Sequence, residues 1–313
     1  MPTQPSRPSA RRALIVALVA LGRTHAEAVE APVQKKFARP ADAMHALVGA
    51  ARKSDQSALL AILGPGSEEV LSSGDPIDDR AAVKRFVAAA AERLRLETLG
   101  SGAVIAHLGK AEWPFPIPLV KDGDEWRFDT PAGREELLNR RIGRNELKAI
   151  DVCHVYVKAQ REYASRQRDG GEPVYAQKLR SDPGQHDGLY WDDPTGKHPS
   201  PLGPFLAEAD AEGYTKQEAG APPRPFHGYF YRALTAQGPH APGGARSYLK
   251  DGKMTGGFAL LAYPADHGSS GVMTFVVGPQ DVVYQKNLGD KTAEEAKAIT
   301  TYDPDDSWTP VRD

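Results

Sequence analysis

Along the first hundred residues of this chain the hydrophobic positions repeat with a helical period. Behind Phe37-Ala38-Arg39-Pro40, the residues Ala43, Leu47, Ala50 and Ala51 recur at helical spacing. Ser54 is placed to cap a second helix over residues 55–63, and Gly64 sits where a glycine ends such a helix. Asp78 and Asp79 open a third, with Val83, Phe86, Val87, Ala90 and Leu94 on one face. The period then drops to two. Residues 103–108 read as a strand, and the tracts 117–121 and 126–129 flank Asp122-Gly123-Asp124-Glu125, a strong hairpin signal.

The second half repeats this order. Pro131 starts a short helix that runs through Arg140-Arg141, and Gly143 separates it from a long one over residues 145–166. Leu147, Ile150, Cys153, Val157, Gln160 and Ala164 are expected on the buried stripe of the long helix. Turn-rich loops surround Tyr190 and Trp191, and residues 201–212 read as a short helix. Strands are expected over 228–234, 254–263, 271–277 and 282–286, then a last helix over 292–299. The fold class is therefore α+β: two domains, 37–141 and 142–313, each with helices packed on an antiparallel sheet. If Gly143 and Gly278 adopt positive φ, replacing them with Ala should lower the melting temperature.

Composition adds location. Arg7, Arg11 and Arg12 precede an apolar run from Ala13 to Leu21, and Ala26-Glu27-Ala28 follows. A basic stretch, a short apolar core and an A-x-A site predict a signal peptide over residues 1–28, hence a periplasmic or secreted protein. Arg11-Arg12 also partly matches a twin-arginine signal. The single cysteine, Cys153, rules out an internal disulfide. The whole chain carries a net charge of -2, and without residues 1–28 it has 35 basic against 40 acidic side chains. With no basic stripe interleaved with aromatics, nucleic acid is an unsuitable partner. No later stretch approaches the ~18 apolar residues of a membrane span. Thirty glycines and 26 prolines point to many ordered loops.

Candidate chemistry is sparse. No Gly-x-Ser-x-Gly elbow, zinc-helix motif, phosphate loop or dinucleotide fingerprint is present. Asp266-His267 beside Ser269 and Ser270 is the nearest approach to a hydrolase grouping, and His227, His240 and His267 lie in or beside loops where they could converge on zinc. Asp303, Asp305 and Asp306 are the candidate calcium ligands, set against a plain solvated loop. Cys153 reads as a small core residue. The alternating prolines of Trp113-Pro114-Phe115-Pro116-Ile117-Pro118 place that tract on a sheet edge or in an extended segment. Trp113, Phe115, Trp126 and Phe128 would line any pocket of the first domain, although core packing explains them as well. The candidate binding residues are Trp113, Phe115, Tyr190, Trp191, Tyr229 and Tyr231, as aromatics that would mark an interface if exposed.

Three resemblances follow. Three helices followed by a curved antiparallel sheet make the first domain similar to nuclear-transport-factor-2-like domains. One long helix followed by an antiparallel sheet makes the second resemble a pilin or pseudopilin head without its hydrophobic stem, so fibre formation is not implied. Over residue 37 to the end, the tracts Leu63-Gly64-Pro65-Gly66, Ser72-Ser73-Gly74-Asp75, Trp113-Pro114-Phe115-Pro116-Ile117-Pro118, residues 140–147, Gly188-Leu189-Tyr190-Trp191 and residues 284–289 resemble an exported bacterial family. That family is catalogued as a domain of unknown function (number 2950); it implies an envelope setting and supplies no activity, cofactor or site.

The expectation is a non-enzymatic exported envelope protein that binds a partner protein or cell-wall component. The alternatives are an exported hydrolase with a loop-built His/Asp site and a small-ligand carrier using the first-domain pocket.

Overall fold

The change of hydrophobic period is realised as four helices leading into an antiparallel sheet. A computed structural model describes residues 34–166, 168–169, 171–214 and 223–312; the expected signal peptide lies outside them. Helix α1 (Pro40–Lys53) starts on a proline, whose missing N–H costs nothing there. Ser54 closes α1 in the left-handed region at φ 53°, so it does not cap the next helix. Asp55 caps α2 (Gln56–Leu63), its carboxylate accepting from Ala58 N–H at 3.0 Å. After the single turn α3 (Glu68–Leu71), α4 (Pro76–Glu92) begins ahead of Asp78, because Asp75 takes the N–H groups of Ile77 and Asp78. Leu94 belongs not to that helix but to strand β1 (Leu94–Thr98).

The sheet continues with β2 (Val104–Leu108), the two-residue β3 (Trp113–Pro114), β4 (Leu119–Asp122) and β5 (Glu125–Phe128). Its order is β1-β2-β4-β5, with β3 attached to the end of β2. Gly123, at φ +68°, turns the predicted hairpin. Met44, Leu47, Leu59, Ile62, Val104, Leu108, Leu119 and Phe128 fill the space between helices and sheet.

The two helices expected on either side of Gly143 are one: α5 (Thr130–Arg166), 37 residues and about 55 Å long. Gly143 is an interior residue with open space around it, so nothing there stops the helix. Gly133 matters more. A Cβ on it would sit 2.5 Å from Ile117 Cα, so its absence lets α5 lie directly against the proline tract. Leu147, expected on the buried stripe, is 67 % exposed. Steps of three residues drift about 60° per step around a helix, and the true stripe follows Asn145, Ala149, Cys153, Tyr156, Val157, Gln160, Tyr163 and Ala164.

Short ribbons come next: β6 (Arg168–Asp169) with β7 (Glu172–Pro173), then the parallel pair β8 (Lys178–Arg180) and β9 (Gly188–Tyr190). Helix α6 (Gly203–Glu212) precedes β10 (Tyr229–Leu234). The ribbons β11 (Ala236–Gln237) with β12 (Arg246–Ser247) and β13 (Leu249–Lys250) with β14 (Lys253–Met254) lead to β15 (Ala259–Pro264), β16 (Met273–Val277), β17 (Val283–Asn287), α7 (Thr292–Ala298) and β18 (Thr309–Pro310). The expected strand 254–263 is divided because Gly256 packs on the Ser247–Tyr248 backbone and Gly257, at φ +140°, on the Tyr248 ring. The second sheet runs β10-β15-β16-β17-β18, antiparallel throughout, with α5 and α7 packed on β15. The described residues form one compact unit containing these two sheets, each with its own hydrophobic core. Among the described residues no helix is long and apolar enough to cross a membrane.

Polar groups on α5 tie the two sheets together. Arg141 donates to the carbonyls of Glu69, Val70 and Ser72, and it reaches Ser269 Oγ at 3.4 Å. Arg144 pairs with the buried Asp78 at 3.0 Å. Asn145 donates to Ser270 O, and Glu146 accepts from the N–H groups of Val272 and Met273. The buried Asp75 carboxylate takes Tyr214 Oη–H at 2.8 Å and Gly228 N–H at 3.1 Å besides capping α4.

Neither Gly143 nor Gly278 is among the positive-φ glycines, so the two substitutions should act in opposite directions. Gly143→Ala removes a flexible residue from a helix interior and should raise stability by roughly 0.5–1 kcal/mol. Gly278→Ala puts a methyl 2.7 Å from the buried Tyr302 ring and should lower it. Thermal melts of both variants check this pair. Arg141→Ala strands three carbonyls and should cost about 2 kcal/mol or more in denaturant unfolding.

Candidate ligand-binding site

The segment around Trp191, between His186 and Pro199, is held in place by the end of α5. On β9, Leu189 points into the core and Tyr190, next in the alternation, points outward. Gly188 is required here: a Cβ would lie 2.5 Å from the Arg180 carbonyl carbon of the parallel neighbour. Asp193 then organises the turn. Its carboxylate accepts the Thr195 hydroxyl and N–H and the His198 N–H, and Gly196 closes the turn at φ +66°. Those donors, the Thr195 hydroxyl first, hold the Asp193 carboxyl below its ordinary range. Three further bonds anchor the segment. Trp191 Nε1–H donates to His198 O at 2.7 Å, Tyr163 Oη–H to His186 O at 2.8 Å, and Arg166 to Pro199 O at 2.8 Å.

A surface cleft of about 640 Å³ opens beside this segment. Tyr190, Trp191, Pro194, Pro199 and Pro204 give it apolar walls, and Asp192 and Asp193 stand on it. Arg180 lies over the Tyr190 ring at 5.2 Å, and Tyr190 Oη–H donates to Asp192 at 2.7 Å. Trp191 is half-buried, with the Tyr163 ring edge-on at 6.5 Å. The cleft thus combines two amphipathic rings, oriented by hydrogen bonds to backbone and side chain, with carboxylate acceptors. This is the pattern of a site that packs an apolar face and reads a polar rim.

The other candidate residues are scattered. Phe115 belongs to the first core, 6.3 Å from Phe128 and 5.4 Å from Phe86, and offers no ring to a ligand. Trp113 is 37 % exposed, covered on one face by Arg140. Tyr229, expected at the surface, is fully buried: its hydroxyl donates to Met273 O, and Gly271 makes room for it. Alternation on β10 places it inward. Tyr231 is half-buried.

Asp303 is engaged by the backbone N–H and ring of His240, Asp305 caps Ser307, and Asp306 takes no part in either arrangement. His227 bonds Glu212 and His267 bonds Asn287, so the three loop histidines face different partners. Among the described residues no group of three or more His, Cys, Asp or Glu side chains could hold a metal ion. Ser269 accepts from Arg141, and the Ser270 hydroxyl bonds the Asp266 backbone; His267 reaches neither. Burial pushes the Cys153 thiol far above its ordinary range, leaving a core residue with no nucleophilic character. Arg166, His186 and Lys197 were not singled out by sequence. The available signal was Tyr163 and Arg166 one turn apart at the end of a long helix, facing the basic pair Lys197-His198.

These features define an α+β protein with an aromatic surface cleft. Residues 34–311 match the family described as "Protein of unknown function (DUF2950)", and the chain belongs to that family. No curated protein and no solved structure matches it.

His227 is worth a separate test. It sits at φ 48° between the Tyr214 and Phe226 rings, and burial lowers its pKa below 6.5 against the opposing pull of Glu212. The unfolded chain then binds a proton that the folded chain resists. Stability from this group is present above about pH 6.5 and is lost as pH falls through the folded pKa. Denaturant melts from pH 7.5 to 5 should show a shallower acid decline in His227→Asn, because Asn tolerates the left-handed backbone and does not titrate.

Proposed function

We propose that this is a non-enzymatic exported protein, periplasmic or secreted, that binds a cell-wall glycan across the Trp191 cleft. The cleft formed by Tyr190, Trp191 and Pro194 beside Asp192 and Asp193 is the observation that carries the reading. A pyranose ring has an apolar C–H face and a rim of hydroxyls. The indole and phenol rings suit the first, and the Asp192 and Asp193 carboxylates suit the second. A partner protein is the alternative occupant of the same surface. The hydrolase and carrier readings have less support, since Ser269, Ser270 and His267 have separate partners and Phe86, Phe115 and Phe128 pack on one another behind Trp126. The same proposal reads residues 37–141 as a nuclear-transport-factor-2-like domain and 142–313 as a pilin-head-like domain, on the strength of helices packed on an antiparallel sheet in each.

Purified protein should co-sediment with insoluble peptidoglycan, and Trp191→Ala should reduce the bound fraction by at least about tenfold, the loss of roughly 1.4 kcal/mol. Asp193→Ala, which releases the turn, should weaken binding less. Wild-type protein that stays in the supernatant would defeat the glycan reading and turn the search to protein crosslinking in the envelope.

A further inference from the structure

Trp191 also lines a second cleft. It measures about 330 Å³ and is lined by Tyr163, Arg166, His186, Trp191, Lys197 and His198, with Pro199. Trp191 and Pro199 also line the 640 Å³ cleft, so the two spaces meet at one indole ring. Their chemistry is opposite. The larger cleft carries Asp192 and Asp193, whereas the charged side chains lining the smaller one are Arg166 and Lys197, with two imidazoles and no carboxylate.

The ring they share is firmly held. His186 stacks on the indole at 4.4 Å and 20°, and the indole N–H is committed to His198 O. Arg166 shares its charge with Glu162 at 2.6 Å and fixes Pro199 through a hydrogen bond. Lys197 forms no ion pair among the described residues and is exposed. Among the described residues, its ammonium is therefore the unpaired cation lining this cleft. The chain as a whole is acidic, so this local reversal of sign would select a ligand and not merely attract anions.

We propose that the Trp191 site takes an acidic saccharide, with a neutral ring seated in the larger cleft and a carboxylate or phosphate group in the smaller one, near Lys197 and Arg166. This deepens the glycan-binding reading and rests on it. The carboxylate and phosphate forms share one requirement, a compact anion held by charge-assisted hydrogen bonds.

Isothermal titration of the full protein with three soluble probes separates the cases. The probes are a neutral N-acetylglucosamine tetramer, a tetramer of the same length in which alternate sugars carry a lactyl carboxylate, and a glycerol-phosphate oligomer. At low salt, one of the two acidic probes should bind about tenfold tighter than the neutral tetramer, and added salt should shrink the gap. Whichever acidic probe is preferred identifies the anion. Lys197→Gln, which removes no side-chain hydrogen bond to the described protein, should bring the acidic probe down to the neutral affinity and leave the neutral tetramer unchanged. Trp191→Ala should abolish both. Equal affinity for acidic and neutral probes overturns this inference while leaving glycan binding intact. If none of the three probes binds, both readings fail.

Discussion

Helix α5 has to serve two cores at once. Its first turns press Gly133 against Ile117 and pack Leu137 on the first core, while its last five turns bury Ala149, Cys153, Val157 and Tyr163 in the second. Between those stretches the helix has no apolar face to hide. There it carries Arg140, Arg141, Arg144, Asn145 and Glu146 instead, and all five reach across to backbone or carboxylate groups of other elements. A helix in water gains little from its own hydrogen bonds and depends on tertiary contacts for most of its stability. The polar middle of α5 therefore holds only because α3, the start of α4 and the loop before β16 supply partners there. Asp75 extends the same arrangement to Tyr214 and Gly228.

How far this was legible in the sequence follows from the range of each signal. Alternation located β2, β4, β5, β10, β16 and β17 to within a residue or two, because burial on one face of a strand is a local property. Asp55 and Asp75 were harder. Each stands beside another good cap, Ser54 or Asp78, and only the backbone conformation decides which side chain reaches the free N–H groups. Gly143 looked like a break because glycine disfavours a helix interior. The contacts that override it involve residues more than sixty positions away. Leu94 was drawn into the preceding helical stripe although the alternation Leu94, Leu96 was already present.

Tyr190 and Trp191 could be picked out as candidates for a similar reason, being large rings in a turn-rich segment. Tyr229 has the same local look, with a glycine before it and an aromatic after it, yet it is fully buried. What separates the two cases is what lies opposite. Gly271 leaves a space that only the Tyr229 ring fills, whereas Tyr190 faces away from Leu189 on the outer side of a two-stranded ribbon. The other walls of the Trp191 clefts come from Tyr163, Arg166 and His186, which converge only once α5 has brought its C-terminal end under the loop.

The uninterrupted run of α5 also limits how this chain can change in length. A deletion of one residue between Leu138 and Ala149 would rotate everything beyond it by about 100° and shift it about 1.5 Å along the axis. Cys153 and Val157 would swing out of the second core while Gly133 stayed against Ile117. The ten residues between Leu138 and Ala149 behave as a fixed phase spacer, tolerant of substitution on the Leu147 side and intolerant of insertion anywhere.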